Sequence, residues 1–183
     1  MSQGSELIKK EAQKYLNLGM IYENSLSLSY LRMARTIIEG AGLRLEDIGT
    51  TPERVDSLMK VAARKRARAL VDRCLEASSP QVIEDTNELH DLVEKYGIKL
   101  EDVGASLEGS DVDMHPVGIN RLRKRAFLGI ARDQYERAAT GDTPPDEAKA
   151  LIVRMHHNLA EAGETIGAIG ASSVAIDKIL TRV

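Results

Sequence analysis

Aromatic side chains are almost missing from this sequence: its 183 residues include no Trp, one Phe and five Tyr. Strands favour aromatic and β-branched residues that pack on a pleated surface, so a β-rich fold is excluded and a base-stacking surface has little to draw on. The single cysteine, Cys74, can form neither an internal disulfide nor a zinc site by itself, in keeping with a reducing cytoplasm. No window approaches 18 consecutive apolar residues, and the opening MSQGSELIKKEAQK lacks the apolar stretch of a secretory signal. Neither a membrane span nor a signal peptide is expected, and a cytoplasmic protein is. The formal net charge of −3 is too small for a chain-wide field that selects nucleic acid or an anionic membrane. Any electrostatic partner must therefore be read from local patches.

What the sequence has in quantity is Ala, Leu, Glu, Lys and Arg, the good helix formers. The expected fold is all-α, a single domain over 1–183 with about seven helices in tandem antiparallel hairpins, arranged as a short solenoid or a compact bundle. An internal repeat organises it. Gly42 to Gly49 reads GLRLEDIG, Gly97 to Gly104 reads GIKLEDVG, and Gly163 to Gly170 reads GETIGAIG. In the first two, Gly, Leu, Glu, Asp and Gly are identical, and Leu/Ile, Arg/Lys and Ile/Val exchanges fill the rest. The third keeps the glycines and the apolar pair and loses the acids. Three repeats follow, at approximately 25–78, 80–139 and 145–183, with a capping helix over 6–22 ahead of them.

Each GxxLEDxG-type segment follows an amphipathic helix, at roughly Leu26 to Glu39, Pro80 to Tyr96 and Pro145 to Ala162, with apolar residues three and four apart. Gly42, Gly97 and Gly163 stop these helices, because glycine takes the left-handed conformation of a helix end without steric cost. Gly49, Gly104 and Gly170 close the turns. Leu45, Leu100 and Ile166, three residues past each stop, are expected to be buried in equivalent places. Thr51-Pro52-Glu53 then starts a long helix that runs to about Ala77. A matching helix is expected from about Pro116 to Ala139, and a short third from Ser172-Ser173 onward, the last repeat reading as a shortened cap. The extra residues of the second repeat lie at Glu108 to His115 and Thr140 to Pro144.

The long helices carry the candidate binding residues. Lys60, Arg64, Lys65 and Arg68 share a polar face over 60–68, and Arg121, Lys124, Arg125 and Arg132 can share another over 121–132. Such faces could meet nucleic-acid phosphates, with Phe127 and Tyr135 the only aromatics of the second helix. The competing reading pairs them with nearby acids, among them Glu46, Asp47, Asp72, Glu101 and Asp102, on a solvated surface. On the other side of the first long helix, Ala67, Leu70, Val71 and Cys74 form an apolar stripe that makes Cys74 a buried small hydrophobe.

Leu45 to Arg66, LEDIGTTPERVDSLMKVAARKR, resembles the helix-turn-helix of bacterial sigma factors over about 22 residues, which implies DNA reading by the second helix. The segment departs from that pattern because LEDIG runs straight into Thr50 and Thr51 without the turn residues that set two helices across each other. Its recurrence favours a packing turn.

Metal ligands could come from Asp111, Asp113 and His115 in EGSDVDMHP, or from His157 and Glu161, one helical turn apart, with His156 beside them. Neither group matches an EF-hand or an HExxH motif. GAIGASS could cradle a phosphate on free backbone N–H groups. It lacks a Walker lysine and a preceding strand, and a glycine turn with a serine cap accounts for the same letters. No cofactor and no catalytic residue set is expected. The sequence reads as a helical-repeat interaction protein that binds another protein or itself, with nucleic-acid binding by the basic faces as the alternative.

Overall fold

The computed structural model describes residues 3–22, 26–76, 80–107 and 117–181. The chain is all-α. Among the described residues there are seven α-helices: α1 (Gln3–Ile21), α2 (Leu26–Gly40), α3 (Pro52–Glu76), α4 (Pro80–Tyr96), α5 (Ile119–Ala139), α6 (Pro145–Glu161) and α7 (Ser173–Leu180). Three single 3-10 turns stand at Leu45–Ile48, Leu100–Val103 and Ile166–Ile169. Two strands of two residues, β1 (Ala105–Ser106) and β2 (Val117–Gly118), pair in parallel with Ala105 opposite Val117. No described helix is long and apolar enough to cross a membrane.

The chain divides into two compact units, Met1–Leu70 with Leu89–Val103, and Val71–Glu88 with Gly104–Val183. In the first, α1 and α2 pack as a hairpin that buries Ala12, Leu16, Leu28, Leu31, Ala34 and Ile38. The helices meet at Gly19, whose carbonyl accepts a 2.6 Å hydrogen bond from the Ser27 hydroxyl. A Cβ at Gly19 would stand 2.7 Å from Leu31 Cγ, so a larger residue would force the hairpin apart. Arg35 ties α2 to α3 through Asp56 at 2.6 Å, and Arg32 reaches from α2 to the Tyr96 hydroxyl at the end of α4.

In the second unit, α5 and α6 form a hairpin capped by the third 3-10 turn and α7. Ala131 and Ala138 of α5, Leu151, Ile152, Met155 and Leu159 of α6, and Ile176 and Ile179 of α7 share one apolar cluster. Small residues on α5 facing large ones on α6 let the helices interlock. Arg73 and Asp85 join α3 to α4 at 2.7 Å, and Gln81 supplies a second hydrogen bond to the same Asp85 oxygen, which keeps this buried carboxylate partnered.

The repeated glycines all do the same backbone work. Gly42, Gly97 and Gly163 have φ of 65, 60 and 65°, and Gly49, Gly104 and Gly170 have φ of 75, 77 and 76°. They are the only positive-φ residues among those described. At each helix stop the amide after the glycine bonds back to a carbonyl of the last turn: Leu43 to Ile38, Ile98 to Val93 and Glu164 to Leu159, at 3.0, 3.2 and 2.9 Å. This is the closure that a left-handed helix end provides.

Two expectations need correction. Leu45 is buried, but Leu100 and Ile166 are only half-buried; the residue buried in all three turns is the next apolar one, Ile48, Val103 or Ile169. The 3-10 turn carries the chain forward by one more step, and its last residue meets the core. Helix α5 begins at Ile119 rather than Pro116, because Val117 and Gly118 pair with β1 and are held extended.

The residue after each closing glycine is buried too: Thr50, Ala105 and Ala171. Thr50 alone carries a hydroxyl there, and its Oγ1 is buried with no hydrogen-bond partner among the described residues. Leaving such a group unpaired costs about 1–3 kcal/mol. Thr50→Val, which keeps the shape, is therefore expected to raise stability by about 1 kcal/mol, seen as a higher urea midpoint at unchanged slope. A lower midpoint would mean that a trapped water satisfies the hydroxyl.

Candidate functional site

Helix α3 has two unlike sides. Val55, Met59, Ala62, Ala63, Ala67 and Leu70 are buried, whereas Ser57, Lys60, Val61, Arg64, Lys65 and Arg68 lie exposed at three- and four-residue spacing. The start of the helix is fixed locally: the Thr51 hydroxyl accepts the Arg54 amide at 3.3 Å, and Pro52 occupies the first helical position. From there the 3.6-residue period sets which side chains turn outward.

That outward side lines a concavity of about 350 Å³, bounded by Ser57, Lys60, Val61, Arg64, Lys65, Arg68 and, from the second 3-10 turn, Asp102. All seven residues belong to the first unit. Asp102 Oδ2 lies 3.5 Å from Arg64 Nη2, with both side chains widely exposed. An ion pair this open to water contributes about 0–1 kcal/mol. The four basic residues named from the sequence thus come together on one surface. Ser57 and Val61 were not among them, although 57, 60, 61, 64, 65 and 68 complete one helical face by spacing alone.

Charge is distributed unevenly around this surface. Residues 57–71 and 117–132 hold ten of the chain's twenty-five Lys and Arg and no Asp or Glu, whereas the remaining residues carry fifteen basic and twenty-eight acidic side chains. The small net charge conceals two strongly basic runs on an acidic chain.

The second run lies in the second unit. Arg121, Lys124, Arg125 and Arg132 are exposed on α5. Lys124 pairs with Glu164 of the third glycine turn at 2.5 Å, and Arg125 reaches the Cys74 carbonyl at 3.4 Å. Lys124 and Arg125 thus serve contacts within the unit. Of the acids named as neighbours, Asp102 meets a basic face, while Asp47 accepts the Arg44 amide at 2.9 Å and closes its own turn. Glu164, which does pair with α5, was not foreseen; it stands in the turn that had lost its acidic pair.

The other candidates are less well assembled. His156, His157 and Glu161 are exposed on α6, and among the described residues no group of three or more His, Cys, Asp or Glu converges. Asp111, Asp113 and His115 lie outside the described residues. Ser172 accepts the Ala175 amide at 3.2 Å and caps α7, which uses the GAIGASS letters for a helix start. The stretch that resembles a sigma-factor helix-turn-helix contains a single 3-10 turn, with Leu45 and Ile48 buried, in place of a first helix.

Comparison with protein-family models, curated proteins and solved structures finds no match to this chain.

Proposed function

We propose that this chain is a cytoplasmic interaction protein built from helical repeats, which binds another protein through the basic concavity of α3 and performs no catalytic step of its own. The observation behind this reading is the lining of that concavity: four cations and an exposed valine, against one carboxylate among the described residues. Oppositely charged surfaces steer encounter and select partners, and an apolar residue inside the charged rim gives the contact something to desolvate. The acid excess elsewhere in the chain makes a second copy a chemically suitable partner as well. Light scattering over a concentration series checks that case: a mass above 20.1 kDa that falls on adding salt supports pairing between copies through these charges.

The two acid-free basic runs favour a second reading, in which the cations meet nucleic-acid phosphates. Neutralising about five phosphates gives log affinity a slope of roughly −4 to −5 against log salt for duplex DNA. Replacing Lys60 and Arg68 with Gln would then reduce that slope by about two. The protein-binding reading expects weak nucleic-acid binding and no change of slope in this variant, since among the described residues no aromatic one lines the concavity to stack on a base.

A further inference from the structure

We propose, resting on the protein-binding reading, that the partner presents an acidic amphipathic helix, with carboxylates along Lys60, Arg64 and Arg68 and an aliphatic side chain on Val61. The three cations stand at four-residue intervals on α3, so they are spaced by about 6 Å along its axis. A helix laid beside α3 with Asp or Glu at i, i+4 and i+8 has its carboxylates at the same spacing, and charges match over two turns without either backbone bending. Val61 sits beside this row, flanked by Ser57 and Lys65, and is 54% exposed. An anion with no apolar part leaves it in water. A partner Leu or Ile one position from a carboxylate covers it.

Asp102 supports the same choice. Its carboxylate already stands on Arg64, so the protein itself shows how an acid docks in this concavity. Because that pair is exposed and weak, an incoming carboxylate can displace it or share the guanidinium, which has five N–H donors. A volume of about 350 Å³ suits a few inserted side chains.

The test uses the full chain and a labelled, capped, alanine-based helical peptide with Glu at every fourth position and Leu after each Glu, followed by fluorescence anisotropy. Lys60→Gln with Arg68→Gln is expected to weaken binding at least about tenfold, as is Gln for Glu in the peptide. Val61→Ser is expected to weaken it about fivefold through lost apolar cover. These residues are exposed, and unchanged circular dichroism and thermal midpoints will show that the variants fold. Equal binding by wild type and the double variant overturns the proposal. So does undiminished binding of a peptide with Ser for Leu, which would leave a purely electrostatic surface. If a proline-broken version of the peptide binds as well as the helical one, the helical partner is wrong but protein binding survives. If oligothymidylate or duplex DNA binds more tightly than the peptide, with a slope that responds to the double variant, both readings fall together.

Discussion

Thiol reagents should label Cys74 in the folded protein at least about a thousandfold more slowly than in the unfolded chain. The residue is 1% exposed. Burial pushes the thiol up from its ordinary 9.0 to about 11; the Asp85 carboxylate pushes the same way, and Arg73 and Arg125 pull back less strongly. At pH 8 that difference alone leaves about a hundredfold fewer thiolates than the unfolded chain offers, and exclusion of the reagent supplies the rest. Arg73, although paired with Asp85, draws the thiol downward, but burial outweighs it. The same shift has a consequence for stability. A raised acid pKa means that the folded state holds its proton longer, so stability is intact below pH 9 and declines from there to about pH 11. The decline attributable to this group is roughly 2–3 kcal/mol, and a Cys74→Ala variant should lack it. Prompt labelling of the native protein would mean that α3 is rotated, with its alanine side outward.

Ile169→Ala is expected to cost about 3 kcal/mol, more than a hundredfold in the folding equilibrium, while Ile166→Ala costs about half as much. The two residues stand at opposite ends of one 3-10 turn. Ile169 is buried in the cluster formed by α5, α6 and α7, whereas Ile166 packs against its edge. Truncating the former leaves a cavity that the αL glycine beside it cannot close, because Gly170 has no side chain to move. Urea unfolding of both variants at equal slope tests this. Equal losses would assign the anchoring of the turn to its first apolar residue after all.

Much of this architecture is legible in the sequence because glycine speaks about the backbone directly. Six glycines at two repeated positions mark six left-handed residues, and the helices between them follow from apolar spacing; α4 runs from Pro80 to Tyr96 as its proline and glycine stop predict. The start of α5 is not legible, since Val117 is held by pairing with Ala105, twelve residues earlier, and no local period reports such a contact. Nor does spacing reveal whether Leu100 or Val103 reaches deeper into the fold, because both are apolar and the tightness of a 3-10 turn decides between them. For the candidate site, the helical period places Lys60, Arg64, Lys65 and Arg68 on one face. That the second turn brings Asp102 against that face depends on tertiary packing, which a single helix cannot announce.

The two-sidedness of α3 has a consequence for how this protein can change. Its buried side sets three alanines among Val55, Met59, Leu70, Val71 and Cys74, and its exposed side holds every cation that lines the concavity. Core and contact surface therefore occupy the same helix without sharing a residue. A surface of this kind can be rewritten, cation by cation, into a neutral or acidic one while the scaffold stays the same, so that partner choice and foldability are inherited as separate traits.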